Sequence, residues 1–103
     1  VRRGADAVVV GGGLIGCAVA RALARRGLDT VLVERGDLGA EASSAAAGLI
    51  APQVESPGPG PLLTLALASR ARYAAWVEAL REESGVDPEY RPAGTIYVAL
   101  TPA

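Results

Sequence analysis

Two short apolar runs, Val8-Val9-Val10 and Thr30-Val31-Leu32-Val33, flank a longer stretch of small and apolar residues from Leu14 to Arg26. The runs are rich in β-branched side chains and do not alternate with polar residues. Each is therefore predicted to be a strand buried on both faces, as in a parallel sheet. The stretch between them, LIGCAVARALARR, is long enough for a helix. It carries Arg21, Arg25 and Arg26 towards its end, where cations suit the helix dipole, and Gly27 is a natural stop. Strand, helix and strand in this order make a βαβ unit. Further on, Ala66, Arg70, Tyr73, Val77 and Leu80 step by four, three, four and three, with Trp76 alongside, which predicts a long helix over Leu62 to Glu83 ended by Ser84-Gly85. Thr95 to Leu100 alternates Ile96, Val98 and Leu100 against Thr95, Tyr97 and Ala99, which predicts a strand with one buried face. Val54 to Pro61, where Pro57, Pro59 and Pro61 alternate with Gly58 and Gly60, is expected to be a surface loop that cannot be helix or central strand. It reads as a connector, with a lid as the alternative.

The turn between the first strand and the helix is Gly11-Gly12-Gly13-Leu14-Ile15-Gly16, which satisfies G-x-G-x-x-G. Each glycine of the motif answers a separate demand: Gly11 the tight turn, Gly13 the approach of backbone to a pyrophosphate, Gly16 the close packing of helix on sheet. The amides at the start of such a helix favour an anion. The second strand ends in Glu34, 23 residues after Gly11 and 18 after Gly16. That is near the ~20 residues expected for a carboxylate that binds a ribose hydroxyl. The alternative is an ordinary surface glutamate, but the strand–turn–helix–strand context favours a dinucleotide site.

After a loop at Gly36 to Glu41, the segment ASSAAAGLIAP (Ala42 to Pro52) has almost no side chain larger than hydroxymethyl before Leu49. Small residues there suit backbone lying against a flat, bulky group, with hydroxyls free to bind phosphate. The equal alternative is a tight helical turn with Ser43 or Ser44 as N-cap. Ten basic and eleven acidic residues leave a net charge of -1, so no polyanion surface is expected; all ten basic residues are arginine, read as compositional bias. The absence of histidine excludes a histidine triad or histidine metal site within this chain. Cys17 is the one cysteine and can form no internal disulfide. It reads as a small packing residue rather than a reactive thiol at a helix start. Tyr73 and Trp76 read as packing residues rather than a substrate cage, and Tyr90, Arg91 and Tyr97 are assigned no substrate role.

Together VVVGGGLIG, the acid in LVER and ASSAAAGLIAP resemble the FAD-dependent amino-acid and amine oxidases, the D-amino-acid oxidase-like family. Within it, AAAGLIAP and SGVDPEYRPAGTIYVAL look most like the glycine oxidases of thiamine biosynthesis. The resemblance covers essentially the whole chain. It implies an α/β fold, the N-terminal βαβ of a Rossmann-like FAD-binding domain with the start of an antiparallel substrate-domain sheet. It implies FAD bound through Gly11, Gly13 and Gly16, with the backbone of Leu14 and Ile15 at the pyrophosphate. Glu34 would take the ribose and Arg35 lie by the adenine. Ala42, Ser43 and Ser44 would line the pyrophosphate and ribityl chain, and Ala46, Ala47, Gly48 and Leu49 the flavin ring. FAD is expected to be non-covalent, because no histidine is present and Cys17 is badly placed for a covalent bond.

The activity implied is oxidation of the C–N bond of glycine or another small amino acid or amine to an imine, with molecular oxygen as acceptor giving hydrogen peroxide. The rivals are an FAD-dependent D-amino-acid dehydrogenase using another acceptor, an NAD enzyme, and a non-catalytic dinucleotide-binding piece. No catalytic residue and no metal ligand are assigned. The expected organisation is an FAD-binding βαβ and flavin loop over 1–52, a loop and long helix over 53–86, and a first substrate-domain strand over 87–103. One βαβ, one helix and one strand do not complete a doubly wound sheet, so an N-terminal fragment of a cytoplasmic enzyme is expected. Neither nucleic acid nor membrane is expected as a partner, and a homo-oligomeric parent is compatible with this reading.

Overall fold

The computed structural model describes residues 4–96, 98 and 100, which divide into two compact units meeting at Gly48 and Leu49. In the first unit, β1 (Ala7–Val10) leads through the glycine turn into α1 (Leu14–Ala24) and then β2 (Thr30–Val33). The strands pair in parallel, with Ala7 opposite Thr30 and Val10 opposite Val33. The Gly11 amide donates to the Val33 carbonyl at 2.8 Å, carrying the pairing into the turn. At the other end the Asp6 amide donates to the Asp29 carbonyl at 2.8 Å, and the Asp29 amide to the Asp6 carboxylate at 2.8 Å. Arg21 lies in the last turn of α1 and Arg25 follows as its C-cap, so the basic end of the predicted helix closes one or two residues early.

The strands are not buried on both faces. α1 packs against β1 and β2. Ala7 and Val9 are half-buried, whereas Val8 and Val10 are 61% and 84% exposed. A strand alternates its side chains between faces, so one helix layer covers one half of them. In β1 the other half is left exposed, whereas in β2 Thr30, Val31 and Leu32 are all half-buried, and among the described residues Gly12 is the one buried residue. Among the described residues no second layer lies over Val8 and Val10, and this, not the strand assignment, accounts for the difference.

The first unit ends with a single helical turn, α2 (Ala42–Ala45), whose N-cap is Glu41. This corrects the N-cap alternative: Ser43 and Ser44 lie inside the turn, and neither caps it. In the second unit α3 (Pro52–Glu55), α4 (Pro61–Ala71) and α5 (Tyr73–Ser84) follow one another, with α3 packed on α4 and α4 on α5. Val54 and Glu55 therefore belong to a helical turn and not to the loop, because Pro52 sits at the helix start, where its missing amide costs nothing. Pro61 opens α4 in the same way.

The expected single helix over Leu62 to Glu83 is two. At Arg72 the amide donates to the Ser69 carbonyl three residues back at 3.0 Å, which tightens the chain, and the α-helical ladder resumes at Trp76 with a 3.0 Å bond to Arg72. No glycine or proline marks the break. Tyr73 and Trp76 are half-buried against each other, edge to face with ring centroids 5.6 Å apart, and Tyr73 also meets Tyr90 at 6.1 Å. Packing explains this aromatic group. The expected strand at Thr95 to Leu100 is not formed at Thr95, Ile96, Val98 or Leu100, while Tyr97 and Ala99 lie outside the described residues. Ile96, Val98 and Leu100 are 90%, 66% and 91% exposed. A strand needs a neighbour to pair with, and β1 and β2 pair with each other alone among the described residues. No antiparallel sheet is seen among the described residues.

Candidate cofactor site

The glycine turn is built as its spacing demands. Gly11 sits at φ +101°, a conformation that costs other residues dearly. A Cβ on Gly16 would fall inside the shell of the Gly11 carbonyl oxygen and 3.0 Å from its carbon, so only glycine lets α1 rise this close to the turn. A Cβ on Gly13 would meet the Ser43 hydroxyl at 3.1 Å. Leu14 and Ile15 are 58% and 81% exposed, which leaves the mouth of α1 open at the surface. The first amides of a helix find no carbonyl within it and point outward.

Gly12, the free position of the motif, proves to be the most tightly held. Its amide donates to Glu34 Oε2 at 2.6 Å. Its carbonyl accepts from the Gly39 amide at 2.9 Å and from the Cys17 thiol at 3.4 Å. A Cβ there would press on the Leu38 tip and lie 3.1 Å from Glu34 Cβ. Sequence reasoning passed over Gly12, Leu38 and Gly39. The available signal was a glycine where the motif requires none.

Glu34 thus stands at the end of β2, as its spacing predicts, with both oxygens engaged. Besides Gly12, the Gly36 amide donates to Oε1 at 2.9 Å. The Gly12 bond first and the Gly36 bond second hold its pKa below the ordinary glutamate value; desolvation opposes them, and the Arg35 amide and charge add smaller lowering contributions. A lowered carboxylate pKa means that Glu34 adds its full stability above the ordinary value of 4.5 and loses it as pH falls through the lowered one. The stability difference between wild type and Glu34→Gln should therefore be constant near neutrality, shrink below pH 4.5 and vanish once both proteins carry a neutral side chain. Urea unfolding at a series of pH values checks this; a difference that grew on acidification would contradict it.

Arg35 pairs with Glu41, both largely exposed. Such a pair adds little stability, but it fixes the guanidinium beside the β2 end. The Leu14 amide donates to Ser43 Oγ at 2.8 Å. Ser44 instead turns its hydroxyl back on its own chain, donating to the Ala40 and Glu41 carbonyls at 2.8 and 2.9 Å. Ala42 lies in α2 and Ala46 is extended. Ala47 and Gly48, the latter at φ +74°, end the first unit, whereas Leu49 begins the second and is 77% exposed. The structure therefore brings Gly11, Gly13, Leu14, Gly16, Glu34 and Ser43 into one cluster. Ala46, Ala47, Gly48 and Leu49 are not gathered with it by any hydrogen bond described.

A parallel βαβ start whose glycine turn is closed by an acid from the second strand defines a dinucleotide-binding chain. A family described as FAD dependent oxidoreductase (DAO) matches residues 6–103, and the chain belongs to it. The glycine oxidase of Geobacillus kaustophilus is 44% identical over 96 residues, covering 93% of this chain and 26% of that protein. The bifunctional protein ThiO/ThiG of Synechocystis is 43% identical over 93 residues, 88% of this chain and 14% of that protein. The crystal structure of the Geobacillus kaustophilus glycine oxidase superposes with a TM-score of 0.78 at 46% identity, over 81% of this chain and 22% of the other. The chain thus spans about a quarter or less of the length of these relatives. FAD is the cofactor that names the family. No helix among the described residues is long and apolar enough to cross a membrane.

Proposed function

We propose that this chain takes part in holding FAD in an oxidoreductase acting on glycine or a similarly small amino acid or amine. The observation that carries the reading is the turn itself: Gly11 at a positive φ and Gly16 with no room for a Cβ, closed by Glu34 and Ser43. The residues present fit the group. The start of α1 is exposed beside the pyrophosphate position, although its Leu14 amide is already donated to Ser43 Oγ, and the Glu34 carboxylate, accepting two amides, retains lone pairs for ribose hydroxyls. Arg35, steadied by Glu41, is assigned to the adenine end. Ala42, Ser43 and Ser44 are assigned to the pyrophosphate and ribityl chain, and Ala46, Ala47, Gly48 and Leu49 to the flavin ring. When bound, FAD supplies the acceptor for the substrate's hydride, converting a C–N bond to an imine, with molecular oxygen as the final acceptor and hydrogen peroxide as product.

The chain's own residues bind and orient. Glu34 aligns the turn and the ribose, and the α1 amides spread the pyrophosphate charge. The small side chains from Ala42 to Gly48 leave room for backbone to approach a planar ring. No residue here is assigned a catalytic role. The relatives named glycine oxidase support glycine as substrate. The test is an absorbance spectrum of the full-length protein followed by anaerobic glycine. The expected result is a flavin spectrum that bleaches with glycine and returns in air with peroxide. Bound flavin that ignores glycine removes the substrate and keeps the cofactor; a protein that takes NAD and no flavin overturns the reading.

A further inference from the structure

The end of β2 carries two side chains that suit opposite ligands. In a βαβ dinucleotide site an acid there suits a ribose with a free 2′-hydroxyl, whereas an arginine nearby suits a 2′-phosphate. Here Glu34 and Arg35 are neighbours, and residue order does not decide between them. The structure pairs Arg35 with Glu41, Nη2 donating to Oε1. Glu41 is placed by its own backbone: its carbonyl accepts the Ser44 and Ala45 amides at 3.1 and 3.2 Å and the Ser44 hydroxyl at 2.9 Å, which fixes it as the N-cap of α2. At the other end of the same loop Glu34 accepts the Gly12 and Gly36 amides at 2.6 and 2.9 Å, and the Gly39 amide holds the Gly12 carbonyl at 2.9 Å. A loop tied at both ends thus presents the guanidinium to a carboxylate. Within it three acids, Glu34, Asp37 and Glu41, stand against the single cation Arg35.

Resting on the FAD reading above, we propose that Glu41 is a specificity-determining residue. By claiming Arg35 it denies that arginine to a 2′-phosphate, so the chain takes dinucleotides with a free 2′-hydroxyl and rejects those phosphorylated there. A phosphate monoester carries a charge of about −1.5 to −2 at neutral pH. To use Arg35 it would have to compete with Glu41 for the guanidinium while standing beside the Glu34 carboxylate. A like charge set against the wrong ligand discriminates without any added contact to the right one. The small worth of an exposed ion pair to folding does not weaken this role, because what counts is the charge the loop shows to a ligand. Glu34 alone leaves Arg35 available; Glu41 removes it.

The test is calorimetric titration of the full-length apoprotein with ADP-ribose and with 2′-phospho-ADP-ribose, which differ in the 2′-phosphate alone. Wild type should prefer the unphosphorylated ligand by roughly tenfold or more, as like charges at a recognition site demand. Glu41→Gln keeps the backbone carbonyl that caps α2 and removes only the charge. It should cut the preference about fivefold, the upper range for an exposed charge pair, through tighter binding of the phosphorylated ligand. Glu41→Asp keeps the charge and should keep the preference. Arg35→Ala added to Glu41→Gln should abolish the gain, since no guanidinium is left to release. Raising salt from about 0.1 M to 1 M shortens the screening length from ~10 Å to ~3 Å and should shrink the Glu41→Gln effect, which a purely structural role of Glu41 would not do. The ratio of the two affinities is unaffected by partial misfolding, which lowers both alike. An unchanged ratio in Glu41→Gln, or a gain that survives loss of Arg35, would overturn the proposal. A wild-type apoprotein that binds neither FAD nor ADP-ribose fails the underlying reading instead.

Discussion

Gly16→Ala is expected to cost about 3 kcal/mol of stability, the upper end for forcing an extra methyl into a closed space, and to leave the purified protein without flavin. The added Cβ would collide with the Gly11 carbonyl, which is backbone and cannot swing aside as a side-chain tip would. Gly11 is also tied through its amide to Val33 at 2.8 Å, so the turn can yield only by breaking the last rung of the β1–β2 ladder. The alternative response, α1 sliding away from the sheet, moves Leu14 off Ser43 and disperses the amides proposed to face the phosphate. Both routes damage the site as well as the fold. Gly36→Ala is the control: nothing lies within 4 Å of its would-be Cβ, and its amide bond to Glu34 is preserved. Urea unfolding and flavin retained after gel filtration measure the two effects. Equal stability of the two variants would show that the turn is softer than its geometry implies.

The second large effect is expected at Glu34. Glu34→Ala removes the partner of two amides, one of them on the fully buried Gly12. A buried donor without an acceptor loses its whole solvation, which is why taking away one partner costs more than the bond was worth. The turn would admit water at Gly12 or re-aim its peptide, and loss of the proposed ribose contact adds to the damage. FAD affinity should drop by roughly 100-fold, two charge-assisted bonds' worth. Glu34→Gln should fall between, since its one carbonyl oxygen can serve one amide while its NH2 confronts the other. Fluorescence titration of apoprotein with FAD orders the three proteins. Were glutamine to bind as tightly as glutamate, the negative charge would have no part in holding the turn.

The glycine turn and its acid were legible because each rests on a local constraint. Gly11 needs its positive φ, Gly16 its missing Cβ, and Glu34 its distance along a strand of fixed rise, so residue type and spacing suffice. What escaped was decided between segments remote in sequence. Nothing in GGG says that its middle glycine will be gripped by Glu34 and Gly39, nor does SS say which hydroxyl will turn to α1. The break at Arg72 has no glycine or proline to announce it and follows from a single carbonyl, Ser69, capturing an amide one residue early. The valines of β1 looked doubly buried because apolar runs reveal appetite for burial, not the presence of a second layer.

The long reach of the Leu14–Ser43 bond has a consequence for the order in which the protein is made. Every group that closes the turn, from the Gly11 amide to the Ser43 hydroxyl, lies in the first compact unit, which ends at Gly48. As the chain leaves the ribosome, every hydrogen-bonding partner of the turn is therefore present before the second unit is synthesised.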